Sequence, residues 1–290
     1  MRYLPLCLGL LLWLPSQSRA VSWVENDYDS GSNGMKKESL TFFTGVSQNL
    51  VAGANAAFYR NNTDNRDMDY SFRLPLMYTA QNAFITFTPF IYPESAQLHS
   101  QAAGGKLSVL TSFTKPEEDN YLHFTVAGSW AQQDAGLLNS AVKKTFSESA
   151  LELKLEKSFY DQFILMASAA GFSDPSGVSN KTLVTPSLDQ SDMADFGTFS
   201  RVSMLPEWVL TAQMARSMKP EYDSYLYAGY SKISFRHAAV ANSVVLGIKM
   251  GITEQATMDF VYNPYKLETS SWKNYYKVLF DFYFDSPGKK

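Results

Sequence analysis

The chain has 290 residues, and its 25 Lys and Arg residues nearly balance its 28 Asp and Glu residues. This slightly acidic balance argues against a nucleic-acid-binding protein, which would carry a basic surface. The single cysteine, Cys7, lies within the first twenty residues. The rest of the chain therefore has no disulfide to staple a small secreted scaffold.

The N-terminal segment has the three parts of a secretory signal. Arg2 supplies the charge, Leu4 to Leu14 form a short apolar run, and small residues lead up to Ala20. The run is too short to cross a bilayer as a helix. We predict that residues 1–20 are a signal peptide cleaved after Ala20, and that residues 21–290 are exported as one domain.

The exported part alternates between short segments with a hydrophobic period of two and polar segments. The clearest example is Tyr275 to Phe284, where aromatic and aliphatic residues occupy the even positions and Lys277 and Asp281 lie between them. One face suits lipid and the other suits water, as in a transmembrane strand. No later stretch approaches the roughly 20 apolar residues of a membrane helix. The predicted strands, in chain order, are 20–26, 37–46, 50–59, 70–79, 83–91, 102–113, 121–131, 145–157, 162–171, 194–204, 208–216, 241–252, 256–263 and 275–284.

The pattern predicts an all-β fold, an antiparallel transmembrane β-barrel of about 14 strands, with 12 strands as the fallback. A soluble sandwich would also alternate, but the connections favour a barrel because short and long ones follow each other. We interpret Tyr222 to His237 as an extracellular extension. The tight connections, assigned to the periplasm, are 47–49, 80–82, 158–161, 205–207 and 253–255. The long connections, assigned to the cell exterior, are 60–69, 92–101, 132–144, 172–192 and 263–274.

Two hairpin sequences and the last strand carry a resemblance to a known class. Gly45 to Leu50 and Gly251 to Ala256 look like periplasmic hairpins, and Lys277, Phe282 and Phe284 match the terminal signature that the assembly machinery recognises. In these features the chain resembles bacterial outer-membrane β-barrels. The resemblance implies residence in the outer membrane, contact with its lipid and insertion by the barrel assembly machinery. Leu279 departs from that signature, which has glycine there.

Candidate catalytic and metal-binding residues are few. A serine or aspartate enzyme of this type needs an active-site histidine, and the only three, His99, His123 and His237, lie in no recognisable motif. The acidic stretches lack the spacing of a calcium loop. We therefore expect no enzyme activity, no metal site and no cofactor.

The strongest functional signal is a set of charged residues on the polar faces of the strands. The candidates for lining a channel are Arg73, Arg201, Lys249, Asp259, Lys277 and Asp281. Charges of both signs inside a barrel can line a solute path or form a salt-bridged wall. The first hypothesis is a pore or transporter for small solutes, the second a structural or adhesive barrel without transport, and the third an outer-membrane hydrolase.

The hairpin around Glu254 has a predictable register because its two strands must present their apolar residues to the same side. A three-residue turn over 253–255 would pair Ile252 with Ala256 and place Lys249 opposite Asp259 on the polar face.

The connection lengths also predict orientation. Long polar segments tolerate solvent exposure and insertions better than tight turns, so an epitope inserted near Ser179 should be accessible to antibody on intact cells. An epitope at Gln255 should not. Labelling at Gln255 without labelling at Ser179 would invert the proposed topology.

Overall fold

The computed structural model describes residues 22–60, 69–94, 100–114, 120–136, 142–160, 162–178, 193–194, 205–219 and 224–284. The predicted signal peptide therefore lies outside the described residues. Within the described ranges, none of the helical structure is long and apolar enough to cross a membrane. The strands are β1 (Ser22–Gly31), β2 (Met35–Ser47), β3 (Leu50–Arg60), β4 (Asp69–Arg73), β5 (Leu76–Thr79), β6 (Ala83–Tyr92), β7 (Gln101–Ser112), β8 (Leu122–Gly136), β9 (Lys143–Phe159), β10 (Phe163–Phe172), β11 (Pro206–Lys219), β12 (Ser224–Phe235), β13 (Ala241–Thr253), β14 (Ala256–Leu267) and β15 (Lys273–Tyr283).

The strands form one closed antiparallel sheet. Each strand pairs with its neighbours in chain order, and β1 pairs with β15 to close the ring. In that closing pair Asn26 lies opposite Phe280 and Val24 lies opposite Phe282. The fold is thus a 14-strand β-barrel, as predicted, because β4 and β5 together occupy a single position in the wall.

The break between β4 and β5 falls at Leu74 and Pro75. Proline has no N–H to give to a sheet, so it interrupts the ladder. The neighbouring strands still use the remaining groups: the Gly53 N–H donates to the Pro75 carbonyl at 2.7 Å, and the Leu74 N–H donates to the Pro89 carbonyl at 3.1 Å. The wall therefore stays hydrogen-bonded through the break.

The interpretation of Tyr222 to His237 as an extension is wrong, because β12 is a full strand of the wall, paired with β11 and β13. The tyrosines concealed the alternation: Tyr225 and Tyr227 face inward, whereas Tyr230 faces outward. The predicted strand 194–204 falls outside the described residues except for Ala194. It does not enter the wall between β10 and β11, which pair directly with each other.

The two ends of the barrel differ in their connections. The end that holds Ser22 and Tyr283, here called the turn rim, carries the connections 48–49, 80–82, 113–121, 160–162, 220–223 and 254–255. The opposite end, here called the loop rim, carries the connections 32–34, 61–68, 93–100, 137–142, 173–205, 236–240 and 268–272. The assignment of 205–207 to the same end as the tight turns is wrong, because Pro206 begins β11 at the loop rim.

The outer face of the barrel is apolar. On β9 the odd-numbered leucines are about half exposed, at 56% for Leu151 and 48% for Leu155. On β9 this band extends over about ten residues, from Ser149 to Phe159. Ser149 pairs with the outward-facing Trp130. At about 3.3 Å per residue and a tilt of about 40°, the band is roughly 25 Å high, which matches a bilayer core. Other exposed outward aromatics lie near the two rims, among them Tyr28, Tyr70, Tyr230, Tyr276, Tyr78, Phe163 and Phe284.

Ring closure between β1 and β15 can be tested by cross-linking. Replacing Asn26 and Phe280 with cysteine puts two thiols on directly opposed residues, whose Cα atoms lie about 4.5–5.5 Å apart in an antiparallel pair, within reach of a disulfide. We expect oxidation of the folded protein to remove both thiols in a thiol titration. The control pair, Asn26→Cys with Phe282→Cys, lies on a diagonal of about 7–8 Å and should stay largely reduced. Equal oxidation of both pairs would contradict the register.

Candidate channel lumen

The inward face of the barrel carries polar and charged side chains. On β9 the even-numbered residues Glu148, Glu152, Lys154 and Glu156 are buried or half-buried, whereas the leucines between them are exposed. A period of two puts alternate residues on opposite sides of a strand. The charged residues of β9 therefore face the lumen.

The loop-rim half of the lumen holds a packed apolar cluster. Buried inward-facing residues from nearly every strand form one apolar cluster there, and two residues of the β10–β11 connection, Met193 and Ala194, belong to it. Met193 is 1% exposed and Ala194 is fully buried. The members contributed by the strands are Met35, Ala57, Tyr59, Phe90, Tyr92, Ala102, Ala131, Ala150, Ala170, Phe172, Val209, Ile233, Phe235, Ala241, Tyr265 and Tyr275.

The β10–β11 connection is held inside the barrel by hydrogen bonds. The hydroxyl of Ser129, an inward-facing residue of β8, donates to the Met193 carbonyl at 2.7 Å. Arg236, just after β12, donates to the Phe172 carbonyl at 2.6 Å and lies 3.6 Å from the Asp174 carboxylate. The described parts of this connection thus narrow the loop-rim half of the lumen.

Residues at the two ends of the same connection also pack together. Val178 and Leu205 form a second buried cluster with Ala135 of β8 and Phe146 of β9. Lys144 donates a hydrogen bond to the Gly177 carbonyl. The start and end of the connection are therefore anchored to the β8–β9 hairpin, which has the longest strands of the barrel.

Acidic residues with lysine partners line the wall where the ring closes. Lys277 of β15 lies 2.7 Å from Asp27 of β1, and Lys37 of β2 lies 3.8 Å from the buried Asp29. Charges removed from water need such partners to offset the loss of hydration. One pairing opposes like charges, since Glu25 lies across from Asp281.

Hydrogen bonds stabilise both members of that acidic pair. Glu25 accepts from the Trp23 indole N–H at 3.0 Å, and Asp281 accepts from the Thr257 hydroxyl at 2.8 Å.

A second charged wall lies across the lumen, because β9 is seven wall positions away from β1. Lys106 lies 3.7 Å from Glu152 and Lys154 lies 3.8 Å from Glu156. Near the loop rim, the buried Glu148 accepts a hydrogen bond from Gln133 at 3.1 Å. The lumen thus carries charges of both signs on two facing walls.

Five of the six predicted lumen residues are described, and all five occupy inward-facing positions. Arg73 donates to the hydroxyls of Tyr59 and Tyr92 at 3.2 and 3.4 Å. Lys249, Asp259, Lys277 and Asp281 lie together on β13, β14 and β15. Arg201 lies outside the described residues. Lys277 of the predicted assembly signature faces the lumen and its partners Phe282 and Phe284 face outward, so that role stays a prediction.

The predicted hairpin register is confirmed at its centre and wrong at its tip. Lys249 lies opposite Asp259, but Thr253 rather than Ile252 pairs with Ala256. A bulge at Ile252 shortens the turn to residues 254–255. A bulge adds one unpaired residue to a strand, so the pairing is displaced by one residue only between Ile252 and the turn.

Tyr227 is a lumen residue that the sequence analysis missed. Its hydroxyl lies 2.9 and 2.8 Å from the two carboxylate oxygens of Asp259 and donates to that group. The ring reaches β14 by passing over Gly247 of β13, where an added Cβ would lie 2.0 Å from a ring carbon. The alternation of Leu226 and Ala228 with Tyr225 and Tyr227 was the signal that could have identified this strand.

Groups of catalytic or metal-binding type are sparse. Among the described residues, no group of three or more His, Cys, Asp or Glu side chains could hold a metal ion. His123 stacks on Tyr121, with ring centroids 4.1 Å apart. His237 lies in the β12–β13 turn, and His99 lies outside the described residues.

No protein-family model matches the sequence, and no curated protein matches it significantly. Several solved structures share the fold. The CymD monoaromatic hydrocarbon channel is 11% identical with a TM-score of 0.54, and the match covers 91% of this chain and 88% of that one. A loop-deletion mutant of OmpT, an outer-membrane protein of Vibrio cholerae, is 11% identical at a TM-score of 0.48, over 91% and 98% of the two chains. OccK11 of Pseudomonas aeruginosa is 8% identical with a TM-score of 0.46, and the match covers 91% of this chain and 95% of that one. The chain has the fold of an outer-membrane β-barrel, and its structural neighbours are outer-membrane proteins that include channels.

Proposed function

We propose that this protein is a channel of the bacterial outer membrane that passes small solutes. The observation that carries the proposal is the charged inward face of a 14-strand barrel. An eight-strand barrel is just narrow enough for its own side chains to fill, whereas barrels of 16 to 18 strands leave an aqueous channel. Fourteen strands leave a lumen that the wall alone does not fill, and its turn-rim half is lined by half-exposed polar residues such as Lys154, Gln213 and Lys249.

A second candidate is a structural or adhesive barrel without transport. The observation that favours it is the apolar cluster around Met193 and Ala194, which packs the loop-rim half of the lumen. The two candidates differ in one property, because only a channel requires a continuous aqueous path.

Conductance in planar lipid bilayers separates the two candidates. Purified folded protein should give discrete current steps in symmetric salt. Faster migration of the unboiled than the boiled sample on a denaturing gel serves as the folding check. Folded protein that never conducts would favour the structural barrel.

Lys249→Glu tests whether the charged lumen lies on the ion path. The change replaces one positive charge with a negative one directly across the hairpin from Asp259, and a pair of charges opposed in this way alters stability by only about 0.2–1 kcal/mol. Folding should therefore survive. Two units of charge within about 10 Å of the path, screened by salt, should raise the cation-to-anion permeability ratio roughly twofold to fivefold.

The measurement is the reversal potential in a salt gradient. The matched control is Lys266→Glu, since Lys266 has the outward parity on β14 and lies over the Trp272 ring. It should leave the ratio unchanged. A folded, conducting Lys249→Glu protein with unaltered selectivity would remove this cluster from the permeation path.

Ser129→Ala tests whether the β10–β11 connection obstructs the lumen. The substitution removes the hydrogen bond to the Met193 carbonyl, which contributes about 1 kcal/mol. The segment around Met193 should dissociate from β8 about fivefold more often, and the mean current at constant voltage should therefore rise. Ser234→Ala, on the same barrel but away from this contact, is the control. An unchanged current in a folded Ser129→Ala protein would contradict the obstruction.

A further inference from the structure

A depression of about 220 Å³ lies in the lumen wall between β9 and β13, in the turn-rim half of the barrel. The space is large enough to hold several water molecules. Its lining combines aliphatic, aromatic and charged side chains: Lys154, Glu156, Ile164, Met166, Gln213, Ala215, Tyr225, Tyr227 and Lys249.

Side chains and backbone of the wall strands form the boundary of this depression and hold its shape. Ala215 contributes only a methyl group to the floor, and Gly247 contributes no side chain beneath the Tyr227 ring. The hydroxyl of that ring is held by both oxygens of Asp259. Tyr227 thus forms a rigid aromatic edge and does not fill the space itself.

The charges that face the depression favour an anion. Two lysines, Lys154 and Lys249, line it together with a single carboxylate, Glu156. That carboxylate lies 3.8 Å from Lys154 and accepts a hydrogen bond from the Tyr121 hydroxyl at 2.9 Å. The lining therefore has one positive charge in excess. Asp259, the partner of Lys249 across the hairpin, does not line the space and is covered by Tyr227.

The floor between the two lysines is mostly apolar, because Ile164, Met166 and Ala215 lie there together with one amide side chain, that of Gln213. A fully polar anion would gain nothing from this floor, whereas an apolar body gains by leaving water. Ammonium groups at the edge of such a surface form charge-assisted hydrogen bonds with a carboxylate.

We propose that this depression binds small organic carboxylates that carry an apolar or aromatic body. The inference deepens the proposed channel function, since such a molecule would be one class of solute passing through the barrel. The site itself needs only the folded wall, so equilibrium binding tests it independently of conductance.

The experiment measures binding of phenylacetate to the folded barrel in detergent by isothermal titration calorimetry. Phenylacetamide and phenethylamine are the matched ligands, because they keep the aromatic body and replace the anion with a neutral amide or a cation. We expect phenylacetate to bind at least about tenfold more tightly than either, a difference of about 1.4 kcal/mol. Equal or tighter binding of phenethylamine would overturn the assignment of an anion site.

Three variants locate the binding. Lys249→Gln should weaken phenylacetate binding about tenfold, and Ala215→Leu should weaken it by filling the floor without changing any charge. Lys273→Gln removes one lysine near the loop rim and should leave the affinity unchanged. Each variant is first checked for folding by its unboiled migration on a denaturing gel.

The outcomes separate this inference from the proposed function. Phenylacetate binding to a barrel that does not conduct would support the proposed binding site and contradict the proposed channel function. Conductance without saturable phenylacetate binding would support the proposed channel function and overturn the proposed binding site. Equal loss of affinity in Lys249→Gln and Lys273→Gln would indicate attraction by net lumen charge only, and would also overturn it.

Discussion

The structure depends on one constraint, which is that every backbone N–H and carbonyl within a bilayer must be hydrogen-bonded by the protein. A group left unpaired in hydrocarbon costs several kcal/mol, so a sheet in this setting has to close. The pairing of β1 with β15 meets that requirement, and the carbonyl of Pro75 remains paired where proline breaks the ladder. Closure also fixes which residues face inward, because a shift of one residue would exchange the two faces of a strand. The pairing of the backbone therefore determines which side chains line the lumen.

Closing fourteen strands creates a lumen that has to accommodate charged groups out of bulk water. The barrel meets this by placing lysines beside acids, as in the contact of Lys37 with the fully buried Asp29. Such pairs do not by themselves stabilise a fold, because desolvation opposes their attraction. Removing one member is nevertheless costly, since the other charge stays buried. The two charged walls thus constrain which substitutions the lumen tolerates, and the half-exposed Lys249 belongs to its most tolerant part.

The sequence was sufficient for the fold class, because alternation and connection length are local properties. The predicted strand number agrees with the barrel because two errors cancel: the predicted strand 194–204 does not enter the wall, and β12 was missed. The sequence also placed Lys249 opposite Asp259, since two apolar faces define the register. It missed the bulge at Ile252, which changes pairing only at the tip and leaves the alternation intact. It missed β12 because tyrosine suits both the lipid face and the lumen, so the three tyrosines carried no information about side. The contact of Met193 with Ser129 joins residues 64 positions apart, and no local pattern encodes such a contact.

The two halves of the lumen have different physical properties, and this difference restricts how a solute could move. The loop-rim half is packed with apolar side chains around Met193, whereas the turn-rim half has a depression between Lys154 and Lys249. A solute entering from the turn rim would reach those lysines without breaking the contact of Ser129 with Met193. A solute entering from the loop rim would first have to break the Ser129 contact and separate the packed cluster. If the loop rim faces the exterior, as the connection lengths predict, the packed cluster lies on the outer side of the lumen and the depression lies on the periplasmic side. Passage in either direction then depends on the same segment, so occupancy of the depression and opening of the lumen are separate steps.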